Sequence, residues 1–498
     1  MSLGNRVLKS SALVIVASWI KRSIGIISMI ILARLLVPDD YGLVAIASLV
    51  LRFFEVFSET GFAQYILSRK NMTEDELYTA WTLKFISRVI LTVTVFSLAY
   101  PIAYFYEQPE LAPVMMVIAL VPLINGLESP GMFFLFRNLH YGKFALVTII
   151  TKLTAFVATI TVAWLYQSYW ALVIGDIVLA ATFTFCTYRL HEARPKWSLI
   201  GAKNQWRFSK WVLLRGILGY SRAKFDSFVI SKFYGLSELG VYTLSKELAT
   251  IPHNQVTTPM IGILLSGMSR NSDDPVKSAD TFSKLFVCLV AVVFPVATGI
   301  YLLADLLIPI ALGDNWSSAI PVIQGLAMLS LTYSMTTVVA SSMTAMKKVK
   351  PVFYLDLVTF LLVAPSLWMI SSMPIAEFAY MRTAIGLGIF IVFFGYLTTV
   401  LPVQFRKLLM SLVPILISGS IMFICIIEVR VALYDILPFL QLLILFLIGA
   451  FSYTVSLSIL VFCMSGLSNE LSFIKTQLVM IQSKILQLVK ARLGHVQK

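Results

Sequence analysis

The sequence predicts an all-α polytopic membrane protein of about 14 transmembrane helices, arranged as two pseudo-equivalent six-helix bundles followed by two extra helices. Three observations support this: an apolar composition, the positions of the basic residues and an internal repeat. Hydrophobic residues make up 58% of the 498 residues and charged residues only 13%. A water-soluble domain of this size would have difficulty staying in solution with so few charges. Most of the chain is therefore expected to lie in a lipid bilayer.

Fourteen segments reach the length of about 20 largely apolar residues that one membrane crossing requires. Most of the connections between them are very short, so no separate soluble domain is expected. The predicted spans are 11–36, 41–68, 79–106, 113–136, 144–166, 170–190, 208–233, 240–268, 283–311, 319–346, 351–372, 375–401, 409–428 and 438–464.

The basic residues follow the alternation of these spans. With the N-terminus in the cytoplasm, 25 of the 39 lysines and arginines lie in or at the edge of cytoplasmic segments, 13 lie within spans, and only Arg430 lies outside. This asymmetry is the positive-inside pattern of membrane proteins. It predicts that both termini are cytoplasmic. It also explains the net charge of +14 without a nucleic-acid partner.

Two segments align without a gap at an offset of 198 residues: ARLLVPDDYGLV at 33–44 and SKFYGLSELGVY at 231–242. The match makes spans one to six equivalent to spans seven to twelve. Parallel repeats of this kind are common in transporters that work by alternating access. The predicted organisation is a first bundle at 1–190, a basic cytoplasmic linker at 191–207, a second bundle at 208–401, two additional helices at 402–466 and an amphipathic basic tail at 467–498.

Thirteen basic residues and eight acidic ones fall within the predicted spans. A lysine or arginine at the centre of a lipid-facing helix costs about 2.5 to 3.5 kcal/mol, so the deepest ones must face a wet or paired interior. A cationic central cavity would suit an anionic substrate. The candidate cavity cations are Lys21, Arg22, Arg52, Arg88, Lys152, Arg215, Arg222, Lys224 and Lys246.

Acidic residues in the same spans allow a second interpretation, in which these charges form salt bridges between helices. Arg52, Glu55 and Glu59 share one helix face, and Arg222 and Asp226 are four residues apart, a spacing typical of ion pairs. Such pairs explain part of the set but cannot neutralise the excess of cations. The acids that could line the cavity or couple an ion are Glu55, Glu59, Glu128, Asp226 and Glu247.

Two predicted spans contain helix breakers beside polar groups: PLINGLESPG, from Pro122, and ATIPHNQ, from Ala249. Interrupted helices in transporters often mark binding sites or hinges, although ordinary proline kinks explain either sequence equally well. His253, in the second stretch, is the one histidine within a predicted span. Its role is either structural hydrogen bonding or proton relay. No metal-ligand spacing, nucleophile motif or paired catalytic carboxylates are present, so no metal, cofactor or catalytic residue is predicted.

Three stretches resemble a known family: ILARLLVPDDYGLVAIASLV, FDSFVISKFYGLSELGVYTLSKELATIP and LGDNWSSAIPVIQGLAM. They are similar to the Wzx-type polysaccharide flippases of the multidrug, oligosaccharidyl-lipid and polysaccharide exporter superfamily. The resemblance implies a transporter in the bacterial inner membrane that moves an undecaprenyl-diphosphate-linked oligosaccharide for O-antigen, capsule or exopolysaccharide synthesis. The diphosphate would bind among the cavity cations, with H⁺ or Na⁺ coupling as proposed for some members. Membrane lipids and other polysaccharide assembly proteins would be further partners.

Four other functions compete with this interpretation. A lipid II flippase would share the architecture and the charged cavity. A drug exporter of the same superfamily is less compatible, since export of cationic drugs favours an acidic or neutral cavity. An enzyme of polysaccharide assembly would need larger external loops than the few residues found here. A purely structural membrane partner would leave desolvated cations in equivalent helices unexplained.

Overall fold

The computed structural model describes residues 3–58, 73–132, 141–200, 202–270, 274–480 and 483, and its regular elements there are helical. One π-helical turn, His253–Thr257, and one 3₁₀ turn, Asp314–Trp316, accompany the α-helices. In chain order the α-helices are α1 Leu3–Leu35, α2 Pro38–Ser58, α3 Glu74–Phe105, α4 Leu111–Ile118, α5 Leu120–Gly126, α6 Tyr141–Tyr166, α7 Trp170–Leu190, α8 Ala202–Phe233, α9 Leu236–Ala249, α10 Thr258–Arg270, α11 Pro275–Leu312, α12 Ala319–Leu326, α13 Leu329–Ala345, α14 Val349–Met369, α15 Ile375–Val400, α16 Phe405–Ala432 and α17 Pro438–Met464.

Eleven stretches in the described ranges are long and apolar enough to cross a membrane, which agrees with the predicted all-α membrane fold. They comprise α1, α2, α3, α6, α7, α11, the combined stretch of α12 and α13, and α14 to α17. The other three predicted spans correspond to α4 with α5, to α8, and to α9 with α10. In these, the helices are short or, in α8, rich in basic residues. The total of fourteen spans stays a prediction.

The chain divides into two compact units. Unit 1 comprises 1–243, 312–316 and 367–372, and unit 2 comprises 244–311, 317–366 and 373–498. The boundary at the linker 191–207 stays a prediction. The structure places α8 and the first half of α9 in unit 1. The reason is local packing, because Tyr220 of α8 donates a hydrogen bond to the carbonyl oxygen of Leu49 in α2 at 2.7 Å.

Small residues allow the helices of unit 1 to approach one another closely. A Cβ added to Gly175 of α7 would lie 2.0 Å from Thr159 Oγ1 of α6, so glycine is required where these neighbours meet. Ala163 and Ala171 are fully buried with Leu32 of α1 in one apolar cluster. Such small-residue contacts are how helices associate in lipid, where no hydrophobic force drives them together.

The predicted break near residue 125 is present, and α7 compensates for it. Helix α5 ends at Gly126. Thr184 Oγ1 donates to the carbonyl oxygen of Ile124 at 2.9 Å, and the Tyr188 hydroxyl donates to that of Leu127 at 2.7 Å. These hydroxyls satisfy carbonyls at the helix end that would otherwise be costly to bury.

The core of unit 2 is apolar and includes the start of the predicted tail. Phe286 of α11 and Phe393 of α15 are fully buried there. Residues 469–480 are helical, and Leu471 and Ile474 belong to the same core. Ser468 and Ser411 of α16 lie 2.8 Å apart and share a hydrogen bond. This part of the predicted amphipathic tail therefore packs on protein.

Candidate functional site

Two ion pairs of unit 1 share Glu55 in α2. Its carboxylate accepts one hydrogen bond from Arg52 Nη1 at 2.7 Å and one from Arg88 Nη1 of α3 at 2.6 Å. The side chains of Glu55 and Arg88 are only 6% and 12% exposed. The spacing of residues 52 and 55 predicted the first pair, whereas the second joins two helices. One buried carboxylate thus lies between two guanidinium groups, which leaves an excess of positive charge.

Residues from three further helices extend this charged group. Asp176 of α7 interacts electrostatically with Arg52, with Lys152 of α6 and with Glu55. Tyr220 of α8 interacts in the same way with Arg52 and Glu55. Helices far apart in the chain therefore bring their polar residues to one place. We refer to this set as the Glu55 cluster: Arg52, Glu55, Arg88, Lys152, Asp176 and Tyr220.

Arg52 is the accessible cation of the Glu55 cluster, and Asp176 is the other exposed member. The Arg52 side chain is 66% exposed although its partner Glu55 is buried. A guanidinium group carries five N–H donors in a planar fork that matches a phosphate. Within the cluster, Arg88 Nε is buried and has no acceptor among the described residues, an arrangement that favours a further oxygen ligand. The cluster therefore has the charge and the donors to bind a phosphate-bearing molecule.

A third ion pair in unit 1 joins Lys84 of α3 to Glu128, next to the helix break. Lys84 Nζ donates to Glu128 Oε1, and the Trp81 indole N–H donates to the backbone oxygen of Glu128 at 2.8 Å. The two side chains are 23% and 14% exposed. Glu128, predicted as a cavity or coupling acid, is thus held by α3, and this pair also stabilises the end of α5.

Asp226 of α8 is 1% exposed and has neutral donors around its carboxylate. Tyr242 of α9 donates its hydroxyl hydrogen to Oδ2 at 2.9 Å, and the Ser227 backbone N–H donates to Oδ1 at 2.8 Å. Because α8 and α9 are consecutive, the bond from Tyr242 to Asp226 holds the turn between them. The pairing of Arg222 with Asp226 stays a prediction, and sequence reasoning did not identify Tyr242.

The other predicted site residues differ in exposure and location. In unit 1, Lys21 and Lys224 are exposed, whereas Arg22 and Arg222 are half-buried. Lys246 is half-buried and Glu247 is exposed, and both lie in unit 2. The Arg215 side chain and residue Glu59 fall outside the described residues. The structure thus gathers Arg52, Arg88 and Lys152 with Glu55, and the functional role of the whole predicted set stays a prediction.

Sequence reasoning gave no role to three residues that the structure places among these charges: Lys84, Asp176 and Tyr220. Asp176 carried a signal, since it is an isolated carboxylate within the apolar run WALVIGDIVLA. An unpaired acid inside a membrane span is expensive and therefore usually functional. Lys84 and Tyr220 carried none, because their partners come from distant helices. Within the described ranges, no group of three or more His, Cys, Asp or Glu side chains is placed to hold a metal ion.

A family model described as "Polysaccharide biosynthesis protein" matches residues 31–321. The lipopolysaccharide biosynthesis protein WzxC of Escherichia coli (strain K12) is 22% identical over 371 residues, which cover 74% of this chain and 75% of that protein. The succinoglycan biosynthesis transport protein ExoT of Rhizobium meliloti (strain 1021) is 24% identical over 306 residues, covering 60% of this chain and 61% of ExoT.

Solved structures with the same fold are transporters. The lipid II flippase MurJ in an inward closed conformation superposes with a TM-score of 0.73 over 90% of this chain and 98% of its own, at 14% identity. An inward-facing multidrug resistance MATE family transporter of the MOP superfamily gives a TM-score of 0.57 over 76% and 94%, at 13% identity. At these identities the similarity shows the fold alone.

Proposed function

Because this chain belongs to the polysaccharide biosynthesis protein family, we propose that it is a flippase for a lipid-linked oligosaccharide in the bacterial inner membrane. The substrate would be a sugar repeat unit on undecaprenyl diphosphate, and transport would proceed by alternating access. The observation that carries the proposal is the Glu55 cluster, in which the exposed Arg52 stands beside a buried, ion-paired Arg88 in apolar helices. The names of the relatives WzxC and ExoT support the same substrate class.

In this mechanism the cations bind the diphosphate while the polyprenyl chain stays in lipid. Arg52 would contact phosphate oxygens through its exposed guanidinium, and Glu55 would hold Arg52 and Arg88 in position. Arginine side chains that an ion pair already holds in place lose less conformational freedom when the substrate binds, which favours affinity. Lys21, Arg22, Arg222 and Lys224 would offer further positive charge along the path. The reaction is movement without bond making or breaking, so we assign no catalytic residue.

The test uses the native host with the gene deleted, in which lipid-linked oligosaccharides are extracted and their membrane leaflet is determined. The proposal expects complete units to accumulate on the cytoplasmic side while surface polysaccharide disappears. Arg52→Ala should restore transport poorly although the protein accumulates, whereas Arg406→Ala, an exposed arginine at the start of α16, should restore it fully.

Two outcomes would contradict the proposal. Units that reach the outer leaflet but are not polymerised would indicate an enzyme of polysaccharide assembly. Unchanged units and surface polysaccharide would direct attention to drug efflux. Accumulation of lipid II in place of oligosaccharide units would keep the transport mechanism and change the substrate.

A further inference from the structure

A polar network in unit 2 surrounds the π-helical turn His253–Thr257, which interrupts the helical run from α9 to α10. Pro252 precedes this turn and has no backbone N–H to donate to the helix. Single π-helical turns inside longer helices occur frequently at functional sites. The network contains no residue of the Glu55 cluster, and nothing in the proposed substrate path uses it.

The hydrogen bonds of Ser334 in α13 determine which nitrogen of His253 carries a hydrogen. Ser334 Oγ donates its single hydrogen to the carbonyl oxygen of Ser330 at 2.6 Å and accepts one from Thr257 Oγ1 at 2.7 Å. Ser334 Oγ has no second hydrogen to donate, so in its remaining contact, with His253 Nδ1 at 3.0 Å, it must accept a hydrogen bond from Nδ1–H. Nδ1 is consequently the protonated nitrogen of the neutral ring, and Nε2 holds the lone pair that can take up a proton.

Arg382 of α15 places a permanent positive charge close to this ring. Its side chain is buried, with the residue 3% exposed. Arg382 Nη2 donates to the Tyr333 hydroxyl at 2.7 Å, and its Cζ lies 5.5 Å from the centre of the Tyr333 ring. The Tyr333 and His253 rings meet edge to face with centroids 6.0 Å apart. A proton on His253 would thus lie one tyrosine ring away from a buried cation.

Few other titratable groups among the described side chains face this turn. Among the helices packed on it, α13 contributes only Tyr333, and the described side chains of α10 are uncharged. The end of α9 contributes Lys246, which shares a helix face with His253 because seven residues separate them, and Glu247, which is exposed. A proton on His253 and the guanidinium of Arg382 would repel each other, and such repulsion is strong in a medium of low dielectric constant.

From this geometry we propose that His253 is the proton-binding site that drives transport. The proton enters from water onto Nε2 while Nδ1–H keeps its bond to Ser334, and it leaves to water on the other side of the membrane. In the protonated state, repulsion between His253 and Arg382 weakens the packing of the π-helical turn on α13. This inference rests on the proposed function, because it names the ion and the residue that power the flippase.

The first test measures hydrogen–deuterium exchange at the imidazole C2 position by mass spectrometry, with the full chain in lipid nanodiscs over a pH series. This readout needs no transport. We expect His253 to give a sigmoidal exchange profile, and Arg382→Met to move its midpoint upward on the order of one pH unit because a repelling charge is removed. His191, in the segment after α7, is the internal control, and Arg382→Met should leave the midpoint of its exchange profile unchanged.

A flat profile at His253, or a midpoint that Arg382→Met leaves unchanged, would overturn the proposal. Should Arg382→Met fail to accumulate, Tyr333→Phe replaces it, since it removes the hydroxyl that positions the guanidinium and should also shift the midpoint. Arg382→Lys keeps the charge, so its midpoint at His253 should stay close to that of the wild-type protein.

The second test follows transport of the lipid-linked substrate into proteoliposomes under an imposed pH gradient. His253→Gln should lose the dependence on the gradient, whereas His191→Gln should keep it. If His253→Gln transports with the wild-type dependence, the proton site is wrong and the flippase proposal stands. If the wild-type protein transports nothing, the flippase proposal fails, and the labelling experiment alone decides whether His253 binds a proton.

Discussion

Gly42 and Gly240 each lie against the backbone of the other's segment. A Cβ added to Gly42 would fall 2.0 Å from the carbonyl oxygen of Leu236, and a Cβ added to Gly240 would fall 2.0 Å from that of Pro38. Both pairs of positions, 42 with 240 and 38 with 236, are related by the same offset of 198 residues. The repeated segments therefore meet through a contact with approximate two-fold symmetry. Glycine is needed at both positions because no side chain fits between the two segments.

Alanine at either glycine should disrupt this contact. Gly42→Ala and Gly240→Ala each place a methyl group on a rigid backbone carbonyl, so we expect each to destabilise the protein by about 1–3 kcal/mol, as overpacking does in well-packed cores. Thermal unfolding of the purified protein in detergent, followed by tryptophan fluorescence, measures the effect.

The matched control for these variants is Gly262→Ala in α10, where an added Cβ meets nothing within 4 Å. It should leave the unfolding temperature unchanged or raise it slightly, because alanine favours a helix over glycine. Equal unfolding temperatures for all three variants would show that the reciprocal contact is not tight in the protein.

Glu55→Gln should be more damaging than Arg52→Gln for stability. Glutamine leaves the buried Arg88 guanidinium without its counter-ion, and loss of one partner from a buried pair costs about 3–5 kcal/mol. Arg52 is exposed, so its replacement should cost about 1 kcal/mol or less and act mainly on transport. Detergent thermal unfolding together with the leaflet assay separates the two effects, and a stable Glu55→Gln protein would argue against the central role of this carboxylate.

Tyr242→Phe should weaken the turn between α8 and α9. The variant removes a hydrogen bond to the buried Asp226 carboxylate, and bonds to charged groups contribute about 1.5–3 kcal/mol. Tyr100→Phe, at a residue 69% exposed, is the control and should unfold like the wild-type protein. If both variants unfold alike, the Tyr242 hydroxyl contributes nothing measurable.

Trp316→Phe should loosen the connection between the 3₁₀ turn and α1. Trp316 is fully buried, its indole N–H donates to the carbonyl oxygen of Ala33 at 2.7 Å, and its ring meets that of Tyr41 edge to face. Phenylalanine keeps an aromatic ring but leaves this carbonyl unsatisfied, at a cost of about 1–3 kcal/mol. Trp164→Phe, at an exposed position, serves as the reference in the same unfolding measurement.

Features that depend on neighbouring residues in the chain could be predicted from the sequence. The apolar segments, the breaks at Gly126 and at Pro252, and the Arg52–Glu55 pair all follow from composition or helical spacing, and the structure confirms each. The bond between Arg88 and Glu55 could not be predicted in this way. It depends on how two helices are rotated against each other, and many rotations bury equally apolar faces.

The boundary between the two units shows the same limit. Its polarity predicts that the basic stretch 191–207 is a linker, and this stays a prediction, whereas the packing of α8 on α2 within unit 1 is seen only in the structure. Polarity reports only that a segment meets water, whereas unit membership depends on which surfaces it contacts.

By itself the sequence determined that this protein is helical, lies in a membrane, contains a repeat and carries more cations than acids in its spans, because each of these is a property of local composition and spacing. Only the tertiary structure decided which charges meet at Glu55 and which nitrogen of His253 is the donor. It also decided that Gly42 and Gly240 each lie against the backbone of the other's segment. Those outcomes depend on distances of a few ångströms between residues far apart in the chain, and helix packing alone sets such distances.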